Sequence, residues 1–348
     1  MPHQPPRRAT RADVARLAGV SDSTVSYALT GDRPISDETR ERIEMAMQEL
    51  GYVPHARAAA LASKKPSLVA LHFPVGERGI DVSDLNYVNA ASDRAEIDGI
   101  QMLMWTHDVN DIDALRRLVT QGLVDGLILM EIRQHDERVE YLKSTRLPFV
   151  TIGRTSDNST MSFIDADFDA WGPMAVDHLA DLGHVEVAVV SQPSEVVESG
   201  YGPVILTQAS MQARAQRRGM TVHIVNVRAN IRSGREALES LLREHPGITA
   251  VVGFNAPAMI GVLEELAVLG LRVPEDVSIL HFGISPEQAE MTVPAQTTIS
   301  APGGVLGEEA MTVLIEKMTK ANSPIRQILT PPVMVDRGST GPVRHEKI

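Results

Sequence analysis

The sequence contains no cysteine, which excludes disulfide bonds, a cysteine nucleophile and a cysteine-ligated metal. Aromatic residues are also scarce, at 4% of the chain. No apolar run approaches the roughly 18 residues that a membrane-spanning helix needs, and residues 1–8 are rich in proline and arginine, unlike a signal peptide. We therefore expect a cytoplasmic protein with no membrane partner and no cofactor.

The motifs of common enzyme classes are missing as well. The chain has no Walker-type phosphate loop, no G-x-G-x-x-G after a strand and no G-x-S-x-G nucleophile elbow. Its eleven histidines are scattered, without an H-x-x-x-H pair. The acidic residues between Asp165 and Asp169 precede a predicted helix, where they favour its N-terminal dipole. We expect no catalytic residue, no metal site and no enzymatic activity.

Length and charge indicate a chain of more than one part. At 348 residues it exceeds what one core usually fills, so two or three domains are expected. The net charge is −12, yet residues 1–65 hold ten basic and eight acidic residues and are positive. A basic head on an acidic body suggests that only the head meets a polyanion.

Residues 10–50 carry the signals of three short helices. Thr10 is a good N-cap with Asp13 in capping-box position, and the first helix is expected to end before Gly19. Ser21 is suited to cap a second helix, and a third is expected over residues 36–50. Two short helices joined at a glycine-containing turn predict a helix-turn-helix, whose second helix is free to enter a major groove.

The outward face of the second helix is small and polar. It consists of Asp22, Ser23, Ser26 and Tyr27. Hydroxyl groups near a helix N-terminus suit phosphate oxygens, and Asp22 is suited to accept a hydrogen bond from a cytosine amino group. The alternative is plain packing in a helix bundle, which the polarity of this face argues against.

An alanine-rich segment, His55 to Ser63, follows the head. It favours helix but is too short to hold one alone in water, and Leu61 is its single large apolar residue. These properties suit a hinge that orders on DNA and inserts Leu61 into a minor-groove step. A flexible linker is an equally good interpretation.

The head resembles the N-terminus of LacI-type transcriptional regulators. The resemblance rests on residues 10–26, Thr39-Arg-Glu-Arg-Ile43, Leu50-Gly-Tyr-Val-Pro54 and the stretch ending Leu61-Ala62. It implies that Asp22, Ser23 and Tyr27 read bases and that Leu61 is the intercalating hinge leucine. It implies contacts to the DNA backbone from Thr10, Arg11, Ser21, Thr24, Ser26, Thr30, Thr39, Tyr52 and His55. Because the family usually has arginine in place of Tyr27, the operator is expected to differ from the commonest one.

From residue 67 onward, apolar strands alternate with helices. Strands are expected at 68–73, 100–105, 126–130, 149–152, 185–190, 222–225, 250–253 and 277–282. Helices are expected near 87–97, 111–121, 135–144, 169–182, 204–218, 233–244 and 256–269. This alternation predicts an α/β core of two doubly wound, parallel-sheet lobes, with a cleft beyond the carboxyl ends of the strands.

The body also resembles the periplasmic-binding-protein-like core of the same family. The markers are Val124-Asp-Gly-Leu-Ile128, His178-Leu-Ala-Asp-Leu-Gly-His184, Gly270-Leu-Arg-Val-Pro-Glu-Asp-Val-Ser278 and Arg337-Gly-Ser-Thr340. The resemblance implies a small all-α head at 1–54, a hinge at 55–66 and an effector-binding and dimerisation core at 67–348. Within the core it implies an N-lobe of about 67–165 plus 290–325, and a C-lobe of about 166–289 plus 326–340.

The sugar-holding groups of the family are mostly missing. Thr207 stands for the usual arginine, Asn255-Ala256 for Asn-Asp, and Phe282-Gly-Ile284 for Phe-Asp-Asp. Because polyols need such bidentate groups, we expect an effector less polar than a simple hexose, or none. The predicted effector contacts are Phe73, Thr207, Asn255 and Phe282. Further aromatic residues near strand ends are candidates for ligand walls, with core packing the better interpretation for any one of them: Trp105, Tyr201 and Phe254.

The parts together predict a sequence-specific DNA-binding transcriptional regulator, expected to act as a repressor. The resemblance implies a homodimer on a double-stranded, pseudo-palindromic operator, modulated by a small-molecule effector in the cleft between the lobes. The alternative is a solute-binding, receptor-like protein without regulatory DNA binding.

Overall fold

The computed structural model describes residues 9–30, 33–52, 66–74, 82–320 and 322–343. The chain divides into two compact units between Leu68 and Val69. The predicted hinge, with His55 and Leu61, lies outside the described residues, as do residues 75–81. None of the described helices is long and apolar enough to cross a membrane.

The head consists of three helices, as predicted: α1 (Arg11–Ala18), α2 (Asp22–Thr30) and α3 (Asp37–Leu50). Small and branched apolar side chains form its core, namely Val14, Ala15, Ala18, Val25, Ile43 and Ala46. With one apolar face on each helix, none of the three buries its face without the other two.

Local capping fixes where these helices begin and end. The Thr10 hydroxyl accepts a hydrogen bond from the Asp13 amide at 3.3 Å, and the Asp13 carboxylate accepts one from the Thr10 amide at 2.9 Å. Gly19 ends α1 at a φ of 65°, a left-handed conformation that glycine adopts without strain. Ser36 caps α3 through the Thr39 amide at 3.3 Å.

The body contains two six-stranded sheets. In chain order the strands are β1 (Leu68–His72), β2 (Gln101–Trp105), β3 (Gly126–Leu129), β4 (Phe149–Ile152), β5 (Phe163–Ala166), β6 (Glu186–Ser191), β7 (Thr221–Asn226), β8 (Ala250–Gly253), β9 (Ser278–Phe282), β10 (Thr297–Ser300), β11 (Gln327–Thr330) and β12 (Val333–Val335). The first sheet has the order β11-β5-β4-β3-β1-β2 and the second β12-β10-β9-β8-β6-β7. The predicted parallel arrangement is confirmed, except that the edge strand β12 runs antiparallel to β10.

Helices cover both sheets. They are α4 (Val82–Ile97), α5 (Ile112–Thr120), α6 (Glu137–Lys143), α7 (Phe168–Asp181), α8 (Ser194–Glu198), α9 (Gly202–Arg218), α10 (Ile231–Glu244), α11 (Ala256–Val268), α12 (Pro286–Glu290) and α13 (Gly303–Thr319). Helices α10 and α11 approach closely because a glycine of each helix lies at their contact. A β-carbon on Gly234 would lie 1.8 Å from the Ala258 carbonyl oxygen, and one on Gly261 would lie 1.9 Å from the Ile231 carbonyl oxygen.

The predicted lobe boundaries are wrong in two places. Strand β10 was assigned to the N-lobe, yet it pairs with β9 in the second sheet. Strand β11 was assigned to the C-lobe, yet it pairs with β5 in the first sheet. Helix α13 packs against α4 and the first sheet, as the predicted N-lobe requires. The chain therefore passes between the lobes three times: after β5, after β10 and after β11.

Candidate functional site

The exposed start of α2 carries two of the three residues predicted to read bases, Asp22 and Ser23. Asp22 and Ser23 are exposed, whereas Val25 is fully buried in the head core. The Ser21 hydroxyl caps the helix by accepting from the Thr24 amide at 3.1 Å, as predicted, and lies 2.7 Å from the Ser23 hydroxyl. A fixed helix start thus presents short hydroxyl side chains beside its positive dipole end.

Arg11 at the start of α1 pairs with Asp22 at the start of α2. Its Nε lies 2.9 Å from Oδ1 and its Nη2 2.5 Å from Oδ2, and both side chains are about half exposed. The hydrogen bond from Arg11 lowers the pKa of Asp22. Because the pair is neutral, Asp22 can approach a polyanion with little repulsion, and its carboxylate keeps lone pairs for a further donor.

Tyr27 is half-buried, and the Arg33 guanidinium lies 5.3 Å from its ring centroid. This geometry is that of a cation–π contact, and it brings a positive charge to the predicted reading face. Arg33 was missed in the sequence because it lies beyond the predicted second helix. The signal for it is the single arginine between the second and third helices.

The other predicted backbone contacts have structural partners of their own. Thr10 is exposed and its hydroxyl donates to Asp13 at 2.6 Å, while the Ser26 hydroxyl lies 3.5 Å from Arg11. Thr39 is half-buried and accepts from the Ser36 hydroxyl at 2.8 Å. Tyr52 packs partly on the head core. The side chain of Thr30, like His55 and Leu61, lies outside the described residues.

A cavity of about 490 Å³ opens between the two lobes of the body. Its walls come from the residues that follow β6, β8, β9 and β10 and from the beginnings of α4, α7 and α9. A smaller cavity of about 70 Å³ shares Tyr87, Phe168 and Tyr201 with it and adds the residues after β3, β4 and β5. The predicted cleft at the carboxyl ends of the strands is confirmed.

Aromatic rings form much of the cavity wall. The Trp171 ring centroid lies 4.8 Å from that of Phe168, 5.8 Å from Phe282 and 6.4 Å from Phe254. Trp171 is 3% exposed, and its indole nitrogen has no hydrogen-bond partner among the described residues. The predicted helix at 169–182 includes Trp171 and begins one residue after Phe168, and the signal for a wall is the spacing of three residues between these two aromatic residues in the first turn after β5.

Of the four predicted effector contacts, Phe282 lines the cavity and the other three do not. Phe73 is buried in the core at 1% exposure. Thr207 is buried inside α9. Asn255 is the N-cap of α11, where its Nδ2 donates to the carbonyls of Ser191 and Val227 at 3.2 and 3.0 Å. Its carbonyl oxygen accepts from the Ala258 amide at 3.3 Å, so the amide is fully used inside the fold.

The remaining aromatic candidates divide between wall and core. Tyr201 and Phe254 line the cavity. Trp105 is buried at 8% exposure, with its ring centroid 4.4 Å from that of His72 and 4.8 Å from that of His107.

Gly283 occupies the position at which the family usually has an aspartate. Its φ is 74°, and a β-carbon there would contact the Trp171 ring at 3.6 Å and the Phe254 ring at 3.8 Å. Aromatic rings therefore border the space that a carboxylate side chain at this position would enter, and left-handed backbone disfavours such a side chain.

Glu131 lines the smaller cavity in a strained conformation. It is the one residue other than glycine among those described with a positive φ, at 56°. Its carbonyl oxygen accepts from Arg138 Nη2 at 2.8 Å, and its carboxylate accepts from the Tyr201 hydroxyl at 3.3 Å. Strain of this kind persists only where surrounding contacts enforce it, and it concentrates at functional sites.

Arg138 is the buried anchor of this region. It pairs with Asp136 at 2.7 Å, both side chains being 2% exposed, and donates to His72 Nδ1 at 3.1 Å. His72 Nε2 donates to the His107 carbonyl at 2.9 Å. Burial, and then the positive charge of Arg138, lowers the pKa of His72 to about 4. His72 is therefore neutral at physiological pH and orients the arginine that holds Glu131.

Asp165 and Arg154 meet at the floor of the smaller cavity. Arg154 Nε lies 3.5 Å from the Asp165 carboxylate, and Nη2 lies 2.6 Å from that of Asp169. Burial raises the pKa of Asp165 to about 7, and the charge of Arg154 offsets this only in part. Asp165 thus titrates near neutrality inside the cleft.

One grouping among the described residues has the composition of a metal site: Glu186, His223 and His245. His223 Nε2 lies 2.8 Å from the Glu186 carboxylate, but the two imidazole rings are stacked with centroids 3.6 Å apart. Lone pairs lie in the ring planes, so stacked rings do not direct them at one ion. The geometry fits a stacked pair hydrogen-bonded to a carboxylate.

Known proteins match both units. Residues 10–55 match the family described as bacterial regulatory proteins, lacI family, and residues 176–340 match a periplasmic binding protein-like domain. Catabolite control protein A of Priestia megaterium is 30% identical over 319 residues, covering 88% of this chain and 92% of the relative. The chain belongs to the LacI family of bacterial transcriptional regulators.

Other LacI-family proteins match over nearly their whole length. The regulator DegA of Bacillus subtilis is 29% identical, covering 97% of this chain and 99% of DegA. The lac repressor dimer bound to operator and the anti-inducer ONPF superposes with a TM-score of 0.81 at 25% identity, covering 96% of this chain and 100% of that one. The CelR–cellobiose complex superposes with a TM-score of 0.69 at 25% identity, covering 95% of this chain and 100% of that one. This LacI-family chain is a DNA-binding transcriptional regulator with an effector-binding core, and it is not an enzyme.

Proposed function

We propose that this LacI-family regulator represses transcription as a homodimer bound to a pseudo-palindromic operator. The observation that carries the proposal is the start of α2, which Ser21 caps and where Asp22 and Ser23 are exposed, with the half-buried Tyr27 one turn further along the helix. A helix of this kind enters a major groove with its N-terminal residues at base edges. Two heads related by a two-fold axis match two half-sites of a symmetric operator.

The contacts divide into base reading and positioning. Asp22, presented with Arg11, accepts from an exocyclic amino group, while Ser23 and Tyr27 contact neighbouring base edges. The phosphate backbone is held by Thr10, Arg11, Ser21, Thr24, Ser26, Thr30, Thr39, Tyr52 and His55. Leu61 of the hinge wedges into a minor-groove step, which bends the DNA at a cost of a few kcal/mol of unstacking. A regulator of this kind acts in the cytoplasm, where the bacterial chromosome lies.

The effector acts through the cleft. Three chain segments join the lobes, so a ligand that changes the angle between the lobes changes the spacing of the paired hinges. Coupling of this kind is typically worth about 1–3 kcal/mol, or roughly 5–150-fold in operator affinity. Asn255 is used inside the fold and Gly283 lacks a side chain, so the cleft has lost the groups that hold vicinal hydroxyls. The effector is therefore not a simple hexose.

Selection from a pool of random DNA duplexes tests the DNA-binding proposal. We expect the full-length protein to enrich one two-fold symmetric sequence, with binding that weakens as salt is added. Equal retention of all duplexes would favour the alternative of a receptor-like protein without regulatory DNA binding. Calorimetry with glucose and galactose tests the effector proposal, and micromolar binding of either sugar would refute it.

A further inference from the structure

We propose that the cleft binds an organic cation, namely an amine that carries a flat apolar body and a hydrogen-bond acceptor. The inference rests on the proposed function, because it names the chemical class of the effector. Four features of the cleft support it: its charge, its aromatic walls, an unsatisfied donor, and the strained position of one carboxylate.

Among the described residues that line the two cavities, acidic side chains outnumber lysine and arginine. The acidic ones are Asp84, Glu131, Asp165 and Glu287, and the single lysine or arginine is Arg154. Arg154 is already paired with Asp165 and Asp169, so no cationic side chain in this lining is available to an anionic ligand. A carboxylate or phosphate ligand would lose hydration and meet like charges, whereas a cation would be attracted.

The walls suit a cation that is partly dehydrated. The rings of Phe168, Trp171, Phe254 and Phe282 surround one part of the larger cavity, with Tyr87 and Tyr201 at its border with the smaller one. The face of each ring carries partial negative charge, which attracts an ammonium group within about 6 Å. The same faces pack against a flat apolar body.

Two polar atoms in the wall specify the rest of the ligand. Trp171 is almost fully buried and its Nε1–H finds no acceptor in the described part of the chain. Gln192 donates its amide to the Phe254 carbonyl at 2.5 Å, and its buried Oε1 has no donor among the residues that the structure describes. Burying polar groups without a partner costs free energy, and a ligand with one acceptor and an N–H group satisfies both atoms.

Glu131 lines the smaller cavity, next to Tyr201, which lines both. Left-handed backbone disfavours any residue with a β-carbon, and a glycine would fit this position with less strain. Arg138 holds the Glu131 carbonyl, and Tyr201, which lines both cavities, hydrogen-bonds its carboxylate. The fold thus maintains a strained residue that lines the smaller cavity and whose carboxylate is hydrogen-bonded to Tyr201, a residue of both cavity walls, as expected of a group that binds the ammonium.

Two matched ligand series of different charge test the inference. Tyramine, 4-hydroxyphenylacetamide and 4-hydroxyphenylacetate share a ring, and histamine and imidazole-4-acetate share another. Binding is followed by fluorescence of Trp171 in the Trp105→Phe variant, which removes the second tryptophan. We expect at least one amine to bind at least tenfold more tightly than its uncharged and acidic partners. Equal or reversed affinity within both series, or no response to either amine, overturns the inference.

Variants assign the effect to the cleft. Glu131→Gln is expected to weaken amine binding at least fivefold and to leave 4-hydroxyphenylacetamide binding unchanged, because only the charge is removed. Glu131→Gly should relieve the backbone strain, keep the fold and lose the amine preference. Glu137→Gln, which alters an exposed carboxylate on α6, is the control and should have no effect. Equal loss in the Glu131 and Glu137 variants contradicts the assignment.

Binding of the selected operator duplex is measured in parallel without ligand. If the duplex binds specifically and the amines do not, the ligand class is wrong and the DNA-binding proposal stands. If the amines bind and no duplex is preferred, the cleft assignment stands and the DNA-binding proposal is wrong.

Discussion

Replacing Asp165 by asparagine is expected to stabilise the protein at alkaline pH. Asp165 is 4% exposed, and burial raises its pKa from the ordinary value of 3.8 to about 7. The folded state therefore holds a proton that the unfolded chain has lost, and the stability that this proton contributes falls as pH rises from about 4 to about 7. Asparagine resembles the protonated acid and does not titrate, so Asp165→Asn removes this pH dependence.

The pKa values set the size of the effect. A pKa shift of about 3 units at 1.36 kcal/mol per unit corresponds to a loss of about 4 kcal/mol in the free energy of unfolding once the pH is above 7. Part of this loss has already occurred at pH 5. Between pH 5 and pH 8, the free energy of unfolding of the wild type should therefore fall by about 2–3 kcal/mol more than that of the variant. Arg154 stays paired with Asp169 in the variant, so no buried cation is left alone.

Urea unfolding of both proteins at pH 5 and pH 8, followed by tryptophan fluorescence, measures this difference. Asp113→Asn on the exposed start of α5 is the matched control and should follow the wild type. If the wild type and Asp165→Asn show the same pH dependence, the account of a buried carboxyl group that is protonated near neutrality is refuted.

Three further changes probe the core and the head. Arg138→Met should lower the free energy of unfolding in urea by about 3–5 kcal/mol, because it leaves the buried Asp136 carboxylate unpaired. Adding Asp136→Asn should recover part of this loss, and no recovery would contradict the pairing argument. Tyr27→Arg should change the half-site selected from random duplexes, and an unaltered sequence would count against base reading at this position. Leu61→Ala should weaken binding to the operator more than to random DNA in titrations, whereas equal losses would argue against a minor-groove wedge.

Elements governed by local rules could be predicted from the sequence. The capping of α1 by Thr10 and Asp13 and the start of α2 at Ser21 depend on residues within one turn, so they follow from spacing alone. The structure confirms the predicted bounds of β4 and β8, because a short, largely apolar run with a glycine at its end or just after it has little alternative in an α/β chain.

Features that depend on distant partners could not be predicted. Strands β10 and β11 are short and carry no sign of which sheet they join, and pairing with β9 and β5 decides it. Asn255 has the residue type of a ligand group, but neighbouring carbonyls on other elements consume its amide. The strain at Glu131 and the aromatic wall around Trp171 likewise arise from contacts between segments far apart in the chain.

The central claim is that α2 of this LacI-family protein reads DNA sequence, and a ratio of two affinities tests it directly. Fluorescence anisotropy at fixed salt gives the Kd for the selected duplex and for a shuffled duplex of equal length. We predict that the wild type prefers the selected duplex by roughly 10³-fold or more. Asp22→Ala should reduce that preference at least tenfold while changing the Kd for shuffled DNA little, and Ser159→Ala in the body should change neither. Equal affinity of the wild type for both duplexes, or a preference that survives Asp22→Ala intact, would contradict the claim.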